Sequence, residues 1–235
     1  MIVDKNKCIG CGLCIPYCPA QAIHVEDKLA YIDLDLCFEC GNCKHSDVCK
    51  KSALVQQTLM WPRRIRAVFS NVREKSPNTS LPGRGTEEMK TNDITGRFIP
   101  GKVGVACEIG RPATGTSMKD VETIARVVTS HGGMLEKLNP TALIFEDTNT
   151  GVVKQEFKNE RALSVIIEAL LDEDKLPELL ADLKIAATKI DTVFSLDVIS
   201  VMDNDIIPGD ALIQKAGLNR RQNGKTCIGL GRPGK

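Results

Sequence analysis

The stretch "CIGCGLCIPYCPAQAI", Cys8 to Ile23, contains four cysteines at spacings of two, two and three residues, followed directly by Pro19. Three cysteines that are three positions apart allow a short loop to surround three corners of an iron–sulfur cube. Gly12, within this loop, gives the backbone conformations that a side chain would disfavour. The spacing therefore predicts a loop wrapped around a metal cluster.

The same pattern begins again 29 residues later, at "CFECGNC". The matching positions of the first copy are Cys8, Cys11, Gly12 and Cys14, and those of the second are Cys37, Cys40, Gly41 and Cys43. Past Cys43 the register slips by two residues, so that Cys18 corresponds to Cys49. The repeat indicates a duplicated half-unit, with two residues inserted in the second copy.

The fourth corner of each cube must come from outside its own loop. In a duplicated domain of this kind, the fourth cysteine of each run binds the cluster of the other half. The predicted ligands of the first 4Fe–4S cluster are Cys8, Cys11, Cys14 and Cys49. Those of the second are Cys37, Cys40, Cys43 and Cys18.

Structural zinc is the alternative for a cysteine-rich segment. Four thiolates saturate one zinc ion, and zinc sites usually take them from two separate pairs. A triple CxxCxxC followed by Cys-Pro fits iron and sulfide better, and on these residues the segment 1–60 resembles a bacterial-type ferredoxin domain with two 4Fe–4S clusters. The resemblance implies one-electron transfer at low potential and no substrate chemistry within this domain.

The second copy departs from the family pattern after Cys43. Five residues separate Cys43 from Cys49, where the family usually has three, and Lys50 and Lys51 stand in place of the proline. Strict register would put Asp47 opposite Cys18, so a carboxylate ligand is an alternative, and His45 is a further one. We predict Cys49 as the ligand because a thiolate binds this iron better.

Composition and charge fit a chain without a membrane-spanning segment. The 235 residues are 42% hydrophobic and 26% charged, with a net charge of +1, and they include no long apolar run. The start "MIVDKNKCIGC" has no apolar core of a signal peptide. We therefore expect a cytoplasmic protein, where ten cysteines indicate metal binding and not disulfides.

Beyond residue 60 the sequence suggests three further regions. Residues 61–101 carry an excess of basic residues and four prolines, and predict a connecting arm that orders against a partner or a second domain. Residues 102–204 predict an α+β domain, and residues 205–235 a flexible basic tail. Cys107 is expected to pack as a small apolar side chain, and Cys227 to be an exposed thiol.

The α+β domain is expected to be a βαββαβ (split βαβ, ferredoxin-like) sandwich. A helix over 117–133 is predicted, with Ser117 as N-cap, Asp120 three residues on, and Gly132 as its end. Further predicted elements are strands at 103–110, 141–147, 151–157 and 193–202, and helices at 160–171 and 176–190.

The turn from Gly110 to Ser117, "GRPATGTS", has the two glycines of a phosphate-binding loop. Thr116 occupies the position of the required lysine, which argues against nucleotide hydrolysis. Arg111, with the free N–H groups of Gly115, Thr116 and Ser117, is a candidate anion site. An ordinary capped turn is the alternative.

These features predict an electron-transfer protein or subunit that exchanges single electrons with a partner redox enzyme and an electron donor. No catalytic residues are predicted, and neither nucleic acid nor a membrane span is expected. The alternatives are a reductase component whose C-terminal domain binds a flavin or substrate, and a redox-sensing ligand-binding protein. The run "TEEMKTNDITGR" (86–97) resembles iron–sulfur portions of anaerobic reductases of the 6-hydroxynicotinate reductase kind, which implies a flavin-containing partner.

Overall fold

The computed structural model describes residues 1–80, 96–111, 114–204 and 206–221. Within these residues the chain forms an N-terminal domain built around the cysteines and a C-terminal domain built on a four-stranded sheet. No helix in this part of the chain has the length and apolar character needed to cross a bilayer. The run at 86–97 and Cys227 fall mostly or wholly outside the described residues.

Strands from the two repeats pair with each other in the N-terminal domain. Its elements are β1 (Ile2–Val3), β2 (Ile23–Glu26), β3 (Leu29–Ile32), α1 (Asn42–His45) and β4 (Leu54–Val55). Strand β1 pairs antiparallel with β4, and β2 with β3. The pairs Val3–Leu54 and Ile32–Ile23 occupy equivalent positions in the two sheets, so the duplication is structural as well as sequential.

The two cysteine loops share one backbone geometry. Gly12 and Gly41 each have a φ of +72°, a left-handed conformation that glycine adopts without strain. The buried apolar residues here are few, and Met1, Ala22, Ile23, Ala30 and Leu54 surround cysteine side chains. A core this small needs further stabilisation, which bound metal commonly supplies.

The C-terminal domain combines long strands with two packed helices. Its elements, with the helix before them, are α2 (Arg64–Ser70), β5 (Lys102–Ile109), β6 (Thr116–Ser117), α3 (Met118–Ser130), β7 (Met134–Leu135), β8 (Phe145–Asp147), β9 (Val152–Val153), β10 (Arg161–Ala162), β11 (Val165–Asp172), α4 (Leu176–Ala187), β12 (Phe194–Ser200) and α5 (Pro208–Lys215). The main sheet has the order β12-β5-β11-β7, and all its pairs are antiparallel. The mixed α/β character expected from the sequence is confirmed.

Helix α3 begins and ends where the sequence predicts. Ser117 accepts a hydrogen bond from the Asp120 N–H at 3.1 Å and donates to the Asp120 carboxylate at 2.8 Å. Gly132, with a φ of +81°, follows the last turn. The buried side of α3, which includes Val121 and Ile124, joins the sheet and α4 in one core.

The helix predicted over 160–171 is wrong. This stretch forms β10 and β11, and β11 lies in the sheet between β5 and β7. Val165, Ile166 and Ile167 are branched at Cβ and therefore favour a strand, particularly one buried on both faces. Of the strands predicted at 141–147 and 151–157, only β8 and β9 form, as a short hairpin outside the main sheet.

Parts of the predicted arm and tail are helical. Helix α2 lies within residues 61–101 and buries Ile65, Val68 and Phe69 in the C-terminal core. Helix α5 lies within the predicted tail, and Leu212 and Ile213 pack against that same core. Residues 81–95 of the arm, and Asp205 and 222–235 of the tail, lie outside the described residues.

Candidate iron–sulfur site

Two cavities in the N-terminal domain are each lined by four cysteines. The outer cavity is lined by Cys8, Cys11, Cys14 and Cys49. The inner cavity is lined by Cys18, Cys37, Cys40 and Cys43. Each cavity takes three cysteines from one half and one from the other, which is the grouping that cross-ligation of two clusters requires.

Backbone N–H groups point at the first sulfur of each loop. The Gly10 N–H donates to Cys8 Sγ at 3.5 Å, and the Glu39 N–H donates to Cys37 Sγ at 3.4 Å. The Ala30 N–H adds a second bond to Cys8 Sγ at 3.3 Å. Such bonds stabilise negative charge on sulfur, and they are one means by which a protein sets the potential of an iron–sulfur cluster.

The fourth cysteine of each run has the same surroundings. The Ala22 N–H donates to Cys18 Sγ at 3.2 Å, and the Ala53 N–H donates to Cys49 Sγ at 3.3 Å. Cys49 is therefore the structural counterpart of Cys18, despite the two inserted residues. Asp47 is exposed, has a φ of +53°, and does not line either cavity.

His45, the other alternative ligand, also lies outside both cavity linings. Its ring packs beside the backbone of Gly41. Burial lowers the pKa of His45, and the charges of Arg73 and Lys44 act in the same direction. The ring therefore packs at the C-terminal end of α1, beside Gly41.

The buried thiols hold their protons strongly. Burial raises the pKa of Cys43 to about 12, and the nearby Cys40, Cys37 and Cys18 thiols act in the same direction. Burial also raises the pKa of Cys14. Because metal ligation requires thiolates, loading of such a site releases protons, and the positive charge of the metal must offset this burial.

The outer cavity opens to solvent through apolar residues. Ile9 and Leu13, which line it, are 61% and 54% exposed, and Cys11 is also exposed. Lys50 and Lys51 line the same cavity and are exposed. The outer cavity therefore has an apolar and basic mouth.

The inner cavity faces the C-terminal domain. Phe38, the repeat counterpart of Ile9, is only 5% exposed. Its ring lies against Gly115 in the turn before α3, so closely that a Cβ atom there would overlap it. The Arg161 guanidinium lies 5.9 Å from the centre of the Phe38 ring, within the range of a cation–π contact.

Arg66 of α2 joins the inner cysteine loop to the C-terminal domain. Its guanidinium Nη1 donates to the carbonyl oxygens of Leu34, Asp35 and Cys37 at 3.0, 3.1 and 2.9 Å. Its Nε forms an ion pair with Glu160. Arg66 is 5% exposed, so these bonds form away from solvent and fix the backbone at a predicted ligand.

Glu39 is a buried carboxylate next to the same loop. Its side chain is 1% exposed and pairs with the α-ammonium of Met1 at 2.5 Å and with Arg63 at 2.7 Å. Burial acts to raise the pKa of Glu39, but hydrogen bonds from Met1 and Arg63 outweigh it and lower the pKa. Glu39 is therefore ionised and neutralised by two cations.

The groups of the predicted anion turn already have partners within the chain. The Arg111 Nε lies 3.1 Å from a Glu108 carboxylate oxygen. The Ser117 hydroxyl caps α3, and the Gly115 N–H donates to the Gly110 carbonyl oxygen at 3.2 Å. Residues 112 and 113 of this turn lie outside the described residues, and an anion at Gly115, Thr116 and Ser117 stays a prediction.

The single-ion alternative can be compared with the geometry. In the described residues no group of three or more His, Cys, Asp or Glu side chains is placed to hold one metal ion. The cysteines surround the two cavities instead. The cysteines around the cavities, with backbone N–H donors to Cys8, Cys18, Cys37 and Cys49, are typical of a 4Fe–4S ferredoxin-type domain.

Comparison with known proteins agrees with that class. Residues 1–24 match the 4Fe-4S binding domain family. The chain is 35% identical over 59 residues to ferredoxin YfhL of Escherichia coli, an alignment that covers 25% of this chain and 69% of that protein. Through its N-terminal domain, the chain belongs to the family of 4Fe–4S ferredoxins.

Two further relatives are subunits of oxidoreductases. The chain is 43% identical over 54 residues to pyruvate synthase subunit PorD of Thermotoga maritima, which covers 23% of this chain and 52% of that subunit. It is 43% identical over 44 residues to the delta subunit of NADH-dependent phenylglyoxylate dehydrogenase of Aromatoleum evansii. That alignment covers 18% of this chain and 45% of that subunit. Among eight curated relatives that it matches, the chain spans from 19% to 70% of their length. No solved structure matches the chain.

Proposed function

We propose that this chain is an electron-transfer protein or subunit that passes single electrons through two 4Fe–4S clusters, to or from a partner redox enzyme. The observation that carries the proposal is the crossed lining of the two cavities by four cysteines each. The ferredoxin family and the oxidoreductase subunits among the relatives support it. A cytoplasmic site of action is part of the proposal, because thiols stay reduced there.

The ligands in this proposal are those predicted from the repeat. Cys8, Cys11, Cys14 and Cys49 bind the outer cluster. Cys37, Cys40, Cys43 and Cys18 bind the inner cluster. A bound 4Fe–4S cluster supplies reversible one-electron chemistry.

The chain's own groups would tune that chemistry. The N–H donors at Gly10, Ala22, Glu39 and Ala53 stabilise charge on the sulfurs that they contact. Lys50 and Lys51 place positive charge at the outer cavity and favour its more negative, reduced state. The two clusters should therefore differ in reduction potential, because Lys50 and Lys51 line the outer cavity and not the inner one.

For the C-terminal domain we propose the split βαβ sandwich. The order β5, α3, β7, β11, α4, β12, with a fully antiparallel sheet, supports it. In our proposal this domain holds the partner in place and has no substrate chemistry of its own. A partner that carries flavin belongs to the same proposal.

The first test is the cofactor content of protein prepared without oxygen. Two cubes require about eight iron and eight sulfide per chain. Iron and sulfide analysis, with EPR spectra of the reduced protein, measures this directly. About four irons would leave one cavity empty and contradict the two-cluster proposal, and zinc in place of iron would contradict both clusters.

The second test separates Cys49 from Asp47. Cys49→Ser is expected to lose or convert the outer cluster and leave the inner EPR signal intact, since Cys49 lines the outer cavity. Asp47→Asn is the matched control, because Asp47 is exposed two residues away, and it is expected to keep both clusters. Retention of both clusters in Cys49→Ser together with loss in Asp47→Asn would reverse the assignment.

A further inference from the structure

The two copies of the repeat allow the surroundings of one cysteine loop to be compared with those of the other. Phe38 in the second copy is covered by Gly115 and by the Arg161 guanidinium of the C-terminal domain. Ile9, at the equivalent position of the first copy, is 61% exposed. The two loops have the same cysteine spacing and the same left-handed glycine, so these two positions can be compared directly.

Ile9 lies among apolar side chains, and two basic side chains lie beside them. We define the outer patch as Ile9, Leu13, Lys50 and Lys51, all of which line the outer cavity. Leu13 is 54% exposed, where its counterpart in the second copy is the polar Asn42. Among the described residues that line this cavity, Lys50 and Lys51 are the charged ones.

We propose that the outer patch is the docking surface for an acidic one-electron carrier protein. Apolar groups of that carrier cover Ile9 and Leu13, as Gly115 and its neighbours cover Phe38, and its carboxylates face Lys50 and Lys51. One electron crosses in each encounter, from the reduced partner to the oxidised one, and no bond forms or breaks. The inference rests on the proposed function, since it needs a cluster in the outer cavity.

Charge complementarity selects this occupant. Adjacent lysines attract an acidic surface. The summed charge complementarity of two facing surfaces raises the rate of encounter by about 10- to 1,000-fold at low ionic strength, and Lys50 and Lys51 supply part of that effect. Removal of the exposed Ile9 and Leu13 side chains from water adds specificity at the centre of such a contact. The inner loop cannot serve in the same way, because Phe38 is already buried against Gly115.

The test uses the full-length, cluster-loaded protein and a flavodoxin as the probe, because flavodoxins are acidic flavoproteins that exchange single electrons. Stopped-flow spectroscopy measures electron exchange with the flavodoxin at low and high salt. We expect a wild-type rate that falls steeply with ionic strength. In Lys50→Glu/Lys51→Glu the rate at low salt is expected to fall at least about tenfold.

Matched variants identify which part of the patch acts. Lys189→Glu/Lys215→Glu makes the same charge change on exposed lysines of the C-terminal domain, and its rate is expected to stay within about twofold of wild type. Ile9→Ser/Leu13→Asn is expected to weaken apparent binding at any salt concentration. Hexaammineruthenium(III), a small cationic oxidant, is expected to react with Lys50→Glu/Lys51→Glu at least as fast as with wild type.

Each outcome decides between the proposals. Every variant is checked for iron content and EPR signals, and Lys50→Gln/Lys51→Gln replaces the glutamate variant if that one loses its outer cluster. A rate that is independent of salt, or unchanged in lysine variants that retain both clusters, overturns the docking surface while the proposed function stands. Wild-type protein without an outer cluster overturns the proposed function instead. Self-association that is abolished by Ile9→Ser/Leu13→Asn would assign the patch to a second copy and also overturn the acidic carrier.

Discussion

The Phe38 ring lies against the backbone of Gly115, and this contact joins the inner cysteine loop to the turn that precedes α3. Phe38 stands between two predicted ligands, Cys37 and Cys40. A movement of the C-terminal domain at Gly115 therefore acts directly on the loop that lines the inner cavity.

Gly115→Ala is expected to weaken this contact. Gly115 has a φ of +80°, so any side chain there is strained by about 1–2 kcal/mol. Overlap with Phe38 adds roughly 1–3 kcal/mol. The measurement is the apparent Tm together with the EPR spectrum of the reduced protein.

Gly132→Ala is the control for that experiment. Its φ of +81° imposes the same strain, but no atom lies within 4 Å of the added Cβ. We expect Gly115→Ala to lower the Tm more than Gly132→Ala does. Equal losses in the two variants would mean that the Phe38 contact contributes nothing.

Arg66→Lys is expected to loosen the inner loop while its charge is kept. A lysine lacks the planar fork with which Arg66 reaches three carbonyl oxygens and Glu160 together. Loss of these buried hydrogen bonds costs about 1–3 kcal/mol. The hydrogen exchange of the backbone amides of residues 34–38 should therefore become faster by about tenfold or more.

Arg64→Lys tests whether that effect is specific. Arg64 lies in the same helix and pairs with Glu74, and both side chains are partly exposed. Exchange at amides 34–38 should stay as in wild type. Protection of these amides that is unchanged in Arg66→Lys would contradict the role assigned to Arg66.

Glu39→Gln is expected to reduce stability at neutral pH, where the Glu39 carboxylate is ionised. Partners lower the folded-state pKa of Glu39 below its ordinary value of 4.5, so the unfolded chain takes up the proton first as pH falls. The contribution of Glu39 to the free energy of unfolding is therefore complete above pH 4.5, and it is lost as the pH falls through the lowered pKa. Removal of one partner from a buried pair costs roughly 3–5 kcal/mol.

The measurement is the apparent Tm of loaded protein at neutral pH, because the sulfide of an iron–sulfur cluster is released in acid. Glu74→Gln is the control, because the partly exposed pair with Arg64 is worth at most about 1 kcal/mol. A Tm of Glu39→Gln equal to that of wild type at neutral pH would argue against an ionised Glu39 in the fold.

Cys107 is expected to resist alkylation as long as the protein is folded. It is 0% exposed in β5, and burial, with the nearby Asp197 charge, raises its pKa to about 12. The reactive thiolate is therefore scarce and inaccessible at neutral pH. Treatment with iodoacetamide followed by peptide mass mapping should find Cys107 modified only after denaturation, and modification in the folded protein would refute the prediction.

The cysteine region could be predicted from the sequence because its pattern depends on residues that are close together in the chain. The fixed spacing in each copy and the positive φ at Gly12 and Gly41 follow from chemistry within a few residues. The partner of each fourth cysteine could be named in advance because the duplication supplies the rule. The proposal that Cys49, and not Asp47, is the ligand rests on the same repeat and on the matching Ala22 and Ala53 hydrogen bonds.

What the sequence left open depends on contacts between distant residues. The stretch "SVIIEALL" at 164–171 has a helical apolar spacing, but its place between β5 and β7 decides in favour of a strand. Arg66 looks like one basic residue among many in a basic segment, and only the fold places it beneath the inner loop. One signal was available for Phe38, because it replaces the aliphatic Ile9 of the first copy with an aromatic ring.

The pairing of β1 with β4 and of β2 with β3 has a consequence for assembly. Each sheet takes one strand from either half, and each cavity takes its fourth sulfur from the opposite half, so a lone half could complete neither. Two separate copies of one half, related by a two-fold axis, would make these same contacts isologously. Joined through the Asp27–Lys28 turn, the two halves make within one chain the contacts that separate copies would otherwise have to find by association.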